Sequence, residues 1–173
     1  MDIDVDEDLL WTLAQRRIAD ARELLTPPYL KPGRKDAGRR HLQAAYYLAG
    51  YAVECALKAH IIRLYRRLQG THVSRWSQVK GSVPFNVSGK QGHNLGRLLA
   101  CAELEDCVRA NLAINLCWTE CKKWNPEVRY TDRPMDMPHE TVTTYVETFV
   151  DGCEAVRSWV YNQRHRLPTT TEE

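Results

Sequence analysis

Apolar residues recur along this chain every three or four positions, which is the spacing of one face of an α-helix. The series near the start of the chain, within residues 7–25, consists of Leu10, Ala14, Ile18, Ala21 and Leu25. The series near the end, within residues 138–164, consists of Val142, Val146, Phe149, Cys153, Val156 and Val160. Both segments are therefore predicted to be amphipathic helices that bury one face.

Residues 37–69 form the longest helical pattern, and its middle is apolar on nearly every side. The apolar positions there are Ala44, Ala45, Leu48, Ala49, Ala52, Val53, Ala56, Leu57, Ala59, Ile61 and Ile62. A helix without a polar face has neighbours all round it, so this segment is predicted to be the central helix. A further helix is predicted over residues 104–124, with Asn125 and Pro126 ending it. The fold class predicted from these patterns is all-α.

Residues 71–92 differ from the rest because they are rich in Ser, Gly and Val and have no helical periodicity. We predict one long basic loop here, since it contains Arg75, Trp76, Lys80 and Lys90 and no acidic residue. Loops of this length are uncommon and tend to be functional. Basic and aromatic side chains together suit phosphates and unstacked bases.

The length of 173 residues fits a single domain, which we expect to have its core at residues 8–164 and a flexible tail at 165–173. An acidic N-terminus without an apolar segment, and no apolar run of about 20 residues, predict a cytoplasmic protein that does not enter a membrane. No Gly-rich phosphate loop occurs, so dinucleotide-binding and P-loop folds are not favoured and no cofactor is expected. The six cysteines include no CxxC pair. We interpret them as small buried apolar residues, with no metal site.

The net charge of +2 conceals a strong asymmetry along the chain. Residues 31–102 carry thirteen Lys or Arg and only two acids, Asp36 and Glu54, whereas the remaining residues have a net charge of −9. A basic block of this length predicts attraction to polyphosphate. Two alternatives stay open, namely pairing of the block with the acidic flanks of the same chain and docking of an acidic partner protein.

A polar stripe runs along the otherwise apolar central helix. At about 100° per residue its members project close to one line, and they are Arg40, Tyr47, Tyr51, Glu54, Lys58 and Tyr65. Glu54 and Lys58 are one turn apart in the order that favours an ion pair. The stripe is either a structural pair with tyrosines joining helices, or the floor of a polar cleft in which Arg40 and Lys58 meet phosphate.

The sequence of residues 45–59, AYYLAGYAVECALKA, resembles the central helix of the HEPN family (higher eukaryotes and prokaryotes nucleotide-binding). Residues 92–95, followed by Leu98 and Leu99, are similar to the His–polar–Leu helix start of that family. Residues 125–130 are similar to its Arg-Tyr connection before the last helix. The resemblance spans roughly residues 8–162 in order and spacing.

The resemblance implies a four- to five-helix up-and-down bundle that often forms a homodimer. It also implies association with RNA or a nucleotide, in a prokaryotic defence (antiviral) or toxin–antitoxin module, with a nucleotidyltransferase as a candidate partner protein. Many HEPN members are metal-independent ribonucleases with an Arg and a His separated by four to six residues near the last helix. Arg133 and His139 match that pattern and are our candidate catalytic pair, although Arg34 with His41 and Arg67 with His72 also fit the spacing.

Three hypotheses follow from the sequence. The first is an RNA- or nucleotide-associated HEPN-like domain, the second an active ribonuclease, and the third a non-catalytic protein-interaction module. The residues that we expect to contact a nucleic acid or nucleotide are Arg40, Tyr47, Tyr51, Glu54, Lys58, Arg75, Trp76, Lys80, Lys90, His93, Arg129 and Tyr130.

Overall fold

Helices α1 (Glu7–Leu24), α2 (Lys35–Gln69), α6 (Leu112–Cys121) and α7 (His139–Gln163) make up most of the computed structural model. The described residues also form three short helices, α3 (Trp76–Val79), α4 (Leu95–Cys101) and α5 (Glu105–Ala110), and a 3-10 helix at Gly89–His93. The structure describes residues 4–26, 35–69, 72–82, 86–127 and 138–165, without the side chains of residues 35–37, 139 and 140. The predicted all-α bundle is confirmed.

Helix α2 is the centre of the bundle, as its apolar sequence predicts. It contacts α1, α3, α4 and α7, and every residue from 52 to 62 is buried. Small side chains on α2 let the neighbouring backbones approach closely, and Ala45, Ala49, Ala52 and Ala56 are all completely buried. Close packing of this kind maximises the dispersion contacts that each buried atom makes.

Contacts between side chains give the directions of the three longest helices. Glu7 at the start of α1 pairs with Arg63 near the end of α2, so these two helices run antiparallel. Tyr46, early in α2, stacks on Phe149, midway along α7. Near the ends of the two helices, Arg67 donates a hydrogen bond to the backbone carbonyl of Arg164. Helices α2 and α7 are therefore parallel, and α1 runs antiparallel to both.

The apolar series of α1 and α7 face the core. All six predicted positions of α7 are buried, as are four of the five in α1, with Leu25 half-buried just beyond the helix end. The side chain of Asp6 caps α1 by accepting a hydrogen bond of 2.7 Å from the backbone N–H of Leu9. A cap of this type stabilises a helix by about 1 kcal/mol.

Three local predictions are corrected by the structure. The helix predicted at 104–124 is divided into α5 and α6, because Asn111 is extended and its side chain caps α6 through the N–H of Ile114. The central helix, predicted over residues 37–69, begins two residues earlier, at Lys35. The predicted long loop holds α3 and the 3-10 helix, since Val79 and Val87 are buried and anchor it to the core.

No helix in the described part of the chain is both long and apolar enough to cross a membrane.

Candidate functional site

A buried ion pair lies at the middle of α2. The ammonium of Lys58 donates to Oε1 of Glu54 at 2.6 Å, so the predicted pairing is confirmed. The Glu54 side chain is 1% exposed, and the Lys58 ammonium lies 5.1 Å from the centre of the Trp76 ring. Burial of a lone charge would cost several kcal/mol, so each of these two charges requires the other.

His93 brings the buried pair to the surface. Its Nδ1 lies 3.1 Å from each carboxylate oxygen of Glu54, although the two residues are 39 positions apart. A carboxylate only accepts hydrogen bonds, so Nδ1 donates and Nε2 is the ring nitrogen left for other partners. Because the His93 side chain is half exposed, the arrangement runs from a buried ammonium through a buried carboxylate to a solvent-facing imidazole.

The 3-10 helix positions His93 beside Glu54, within α2's polar stripe. Buried Val87 and Leu95 flank the 3-10 helix and anchor it to the core. The N–H of Val87 also donates to the carbonyl of Lys80 at 2.8 Å. Gly92 lies so close to the carbonyl of Val87 that a Cβ there would force it to move. Directly after His93, the Asn94 side chain caps α4 by accepting from the N–H of Arg97.

Aromatic rings extend the site along α2. The rings of Tyr47 and Tyr51 are nearly parallel at 6.1 Å, and Tyr47 is 6.0 Å from Trp124. The Trp124 indole covers Gly50, whose missing side chain leaves room for it. Burial raises the pKa of the Tyr51 phenol, helped by Cys55 and Glu54 nearby, so this hydroxyl stays protonated at neutral pH.

An open cleft of about 330 Å³ lies beside His93. Three ammonium groups belong to its lining, those of Lys90, Lys122 and Lys123, against one carboxylate, that of Glu127. Lys90 pairs with Glu127 at 3.7 Å and Lys123 with Glu120 at 2.7 Å, and water screens both of these exposed pairs. The cleft thus combines an excess of lysine side chains with an imidazole and the Trp124 ring.

Several predicted binding residues lie away from this cleft. Arg40 is exposed on α2, and Lys80 follows α3 and is half-buried. Arg75 precedes α3 and pairs with Asp4 at 3.4 Å. The ring of Trp76 is buried, so the expectation that it offers an open stacking surface to a base is corrected. Trp76 instead covers the ammonium of Lys58.

The predicted catalytic pair falls mostly outside the described residues. Arg133 lies outside them, as do Arg129 and Tyr130 of the predicted Arg-Tyr connection. His139 is the first residue of α7, but its side chain is also outside the description.

Part of the basic block is neutralised within the chain, as one of the alternatives foresaw. Buried Glu7 receives both Arg63 and Arg66, at 2.5 and 3.0 Å. Arg75 pairs with Asp4, and Lys90 with Glu127, so four cations of residues 31–102 meet acids from the flanks. The positive charge of the block is consequently not one continuous surface.

Of the cleft's lining residues, only Lys90 and His93 were predicted to bind, and those not predicted include Lys122, Lys123, Trp124 and Asn125. These residues follow the end of α6 and lie outside the basic block at residues 31–102, from which the binding residues were mainly predicted. The signal for them was a pair of lysines next to a tryptophan, immediately before the helix-ending Asn125 and Pro126.

Within the described residues no group of three or more His, Cys, Asp or Glu side chains could hold a metal ion. The buried Cys121 of α6 packs against Cys153 of α7, with 3.4 Å between the two sulfur atoms. Comparisons of the chain with protein-family models, with curated proteins and with solved structures found no match.

Proposed function

We propose that this chain is a HEPN-like domain that associates with RNA or a nucleotide through the cleft beside His93. The observation that carries the proposal is the contact between His93 and buried Glu54, which holds an imidazole at the wall of a lysine-lined cleft. The resemblance of residues 45–59 to the HEPN central helix supports the same assignment. Such a domain would serve in a prokaryotic defence or toxin–antitoxin module.

Phosphate is the ligand chemistry that this lining favours. Lys122 and Lys123 follow each other at the end of α6, and Lys90 approaches from the 3-10 helix, so cations from two segments converge. Ammonium groups bind phosphate as point charges, and their contribution falls with salt as counterions are released. Asn94 and Asn125 add polar groups to the lining that can face a ribose or a base edge.

The fixed imidazole distinguishes this cleft from an ordinary basic surface. Holding Nδ1 with both oxygens of Glu54 sets the ring orientation before any ligand arrives, which lowers the entropic cost of binding. The Lys58 ammonium stabilises the Glu54 carboxylate in turn. The ligand therefore meets an aligned donor or acceptor at Nε2.

The test is binding of a fluorescent single-stranded RNA, followed by anisotropy at several salt concentrations. The variant Lys122→Gln/Lys123→Gln should weaken binding and lower the slope of log Kd against log salt by about 1.4, two phosphate contacts' worth. The matched control is Arg16→Gln/Arg109→Gln, which removes the same charge from exposed positions outside the cleft lining.

Equal loss of binding in the two double variants would show that only net charge matters, and would contradict the cleft assignment. Absence of RNA and nucleotide binding, together with stabilisation by an acidic protein, would favour the protein-interaction module instead.

A ribonuclease is the second candidate, and the His93–Glu54 contact favours it. An imidazole held at one nitrogen by a buried carboxylate can exchange a proton at the other nitrogen, the arrangement that general acid–base catalysis uses. The test is incubation with total RNA in EDTA, read on a denaturing gel. Cleavage lost in His93→Ala would assign the reaction to this cleft, whereas cleavage lost only in His139→Ala would assign it to the predicted pair of Arg133 and His139.

The homodimer and the nucleotidyltransferase partner stay predictions of the resemblance. Light scattering of the purified chain measures the first, and co-purification with a nucleotidyltransferase encoded beside it tests the second.

A further inference from the structure

A second cleft, of about 590 Å³, lies between the first turns of α1 and the last turns of α7. Its lining includes the guanidinium groups of Arg63, Arg157 and Arg164 and one carboxylate side chain, that of Asp8. We propose that this cleft binds a phosphate-bearing small molecule through Arg157 and Arg164. The proposal is independent of the function assigned to the cleft beside His93.

Arg157 is the first support for an anion here. Its Nη2 donates to the Ser158 hydroxyl at 2.7 Å, and its Nε is buried without an acceptor. In the described part of the chain no carboxylate forms an ion pair with Arg157. A half-buried guanidinium that contacts only a neutral hydroxyl leaves most of its positive charge for an external anion.

Arg164 supplies the second cation. Its guanidinium lies over the ring of Tyr161, 3.5 Å from the ring centre, and one of its Nη atoms donates to the Tyr161 carbonyl at 2.9 Å. These contacts hold the side chain in place without neutralising it. Arg157 and Arg164 are seven positions apart, about two helical turns, and line the same cleft at the end of α7. Arg is well suited to contact the phosphate groups of a bound molecule.

The third guanidinium of the lining, that of Arg63, is neutralised by Glu7 and adds no net positive charge to the cleft. Its Nε donates to buried Glu7 at 2.5 Å. The lining therefore presents Arg157 and Arg164 against exposed Asp8, a net positive charge from two cations that pair with no acid among the described residues. Trp11, whose buried indole Nε1 has no acceptor among the described residues, belongs to the same lining.

The size and place of the cleft point to a small ligand bound separately from the first one. Clefts of roughly 300–1,000 Å³ accommodate molecules of nucleotide size. Arg63 follows Glu54 by nine positions in α2, about 900° of helical rotation, so the two residues project on opposite sides of the helix. Occupation of one cleft therefore leaves the other accessible.

The experiment is thermal unfolding of the full chain with increasing pyrophosphate or ATP, at an ionic strength kept constant with sodium chloride. We expect a saturable rise in Tm, because a ligand that binds only the folded state stabilises it. Arg157→Gln and Arg164→Gln should each raise the Kd by about tenfold or more, the loss of one charge-assisted contact. Arg16→Gln, exposed on α1 outside the lining, is the matched control and should leave Kd unchanged.

Tighter binding of ATP than of pyrophosphate would identify a nucleotide, and equal binding would identify the phosphate groups alone as the ligand. A Tm that does not saturate, or a Kd that is the same in both Arg variants as in the parent chain, would overturn the proposal. If Arg157→Gln fails to fold, Arg164→Gln decides. Lys122→Gln/Lys123→Gln should leave this Kd unchanged, and a loss of binding there would place the phosphate in the first cleft.

Discussion

The indole ring of Trp124 lies directly against the backbone of Gly50, and a methyl group on the Gly50 Cα would overlap ring atoms. Overpacking a core costs about 1–3 kcal/mol, and the Cβ of a Gly50→Ala variant would overpack the core against this ring. Ala in place of Gly gains about 1 kcal/mol in a helix interior, so we expect the free energy of unfolding to fall by up to about 2 kcal/mol. Urea unfolding followed by circular dichroism measures it.

The matched control is Gly81→Ala, because nothing lies within 4 Å of the position a Cβ would take there. We expect a change within about 0.5 kcal/mol in that variant. A Gly50→Ala variant as stable as the Gly81→Ala variant would contradict the contact with Trp124.

The Glu54–Lys58 pair should show the cost of an uncompensated buried charge. Glu54→Gln leaves the Lys58 ammonium without its carboxylate, and we expect a loss of about 3–5 kcal/mol. Glu54→Gln/Lys58→Met removes both charges and should recover much of that loss. A double-mutant cycle in urea gives the coupling energy between the two residues.

The half-exposed pair of Arg17 and Asp20, 2.9 Å apart on α1, is the control for this cycle. Asp20→Asn should cost less than about 1 kcal/mol, since water screens the pair. Equal losses for Asp20→Asn and Glu54→Gln would mean that Glu54 is hydrated and not buried.

His60 should make the protein less stable in acid. Burial lowers its pKa from 6.5 to about 4, with the cations of Arg63 and Arg67 adding to the effect, and its buried Nδ1 has no hydrogen-bond partner among the described residues. Between these two values the unfolded chain binds more protons than the folded one, so the free energy of unfolding falls as the pH falls. Protonation of His60 across this pH window should lower the free energy of unfolding by about 3 kcal/mol.

The measurement is urea unfolding of the parent chain and of His60→Gln from about pH 7 to about pH 4.5. The difference in unfolding free energy between the two proteins should shrink as the pH falls, because only the parent loses the His60 contribution. Parallel curves would show that His60 is protonated equally in both states.

The cysteines should differ strongly in reactivity. Burial raises the pKa of Cys153 well above its ordinary value and that of Cys55 to about 12, and thiolate is the reactive form. Iodoacetamide should therefore modify half-buried Cys107 in the native protein well before Cys55, Cys121 or Cys153. Peptide mass spectrometry after timed alkylation measures the order.

The same labelling in guanidinium chloride is the control, and all six cysteines should then react at similar rates. Native labelling of Cys121 and Cys153 as fast as Cys107 would contradict the packing of α6 against α7.

Local sequence was sufficient for most of the helices and their buried faces. The apolar series of α7 is buried at every predicted position, because a helix repeats every 3.6 residues and its burial follows from spacing alone. The Glu54–Lys58 contact was predictable for the same reason, since residues four apart in one helix are neighbours.

The sequence also determined where the long helices begin and end to within a few residues, but not the break at Asn111. Apolar residues lie on both sides of that position, which favours one continuous helix. The Asn111 side chain instead accepts a hydrogen bond from the N–H of Ile114 and begins a new helix there. An Asn side chain that accepts a hydrogen bond from a nearby backbone N–H can end one helix and begin the next, and the spacing of apolar residues does not reveal this.

Only the tertiary structure decided the candidate site. The contact of His93 with Glu54 spans 39 positions, and the cleft joins Lys90 to Lys122 and Lys123 from another part of the chain. The burial of Trp76 and the pairing of Arg63 with Glu7 have the same origin. Spacing along a chain specifies which side chains share a face, whereas the packing of whole helices in three dimensions sets which faces meet and which charges they neutralise.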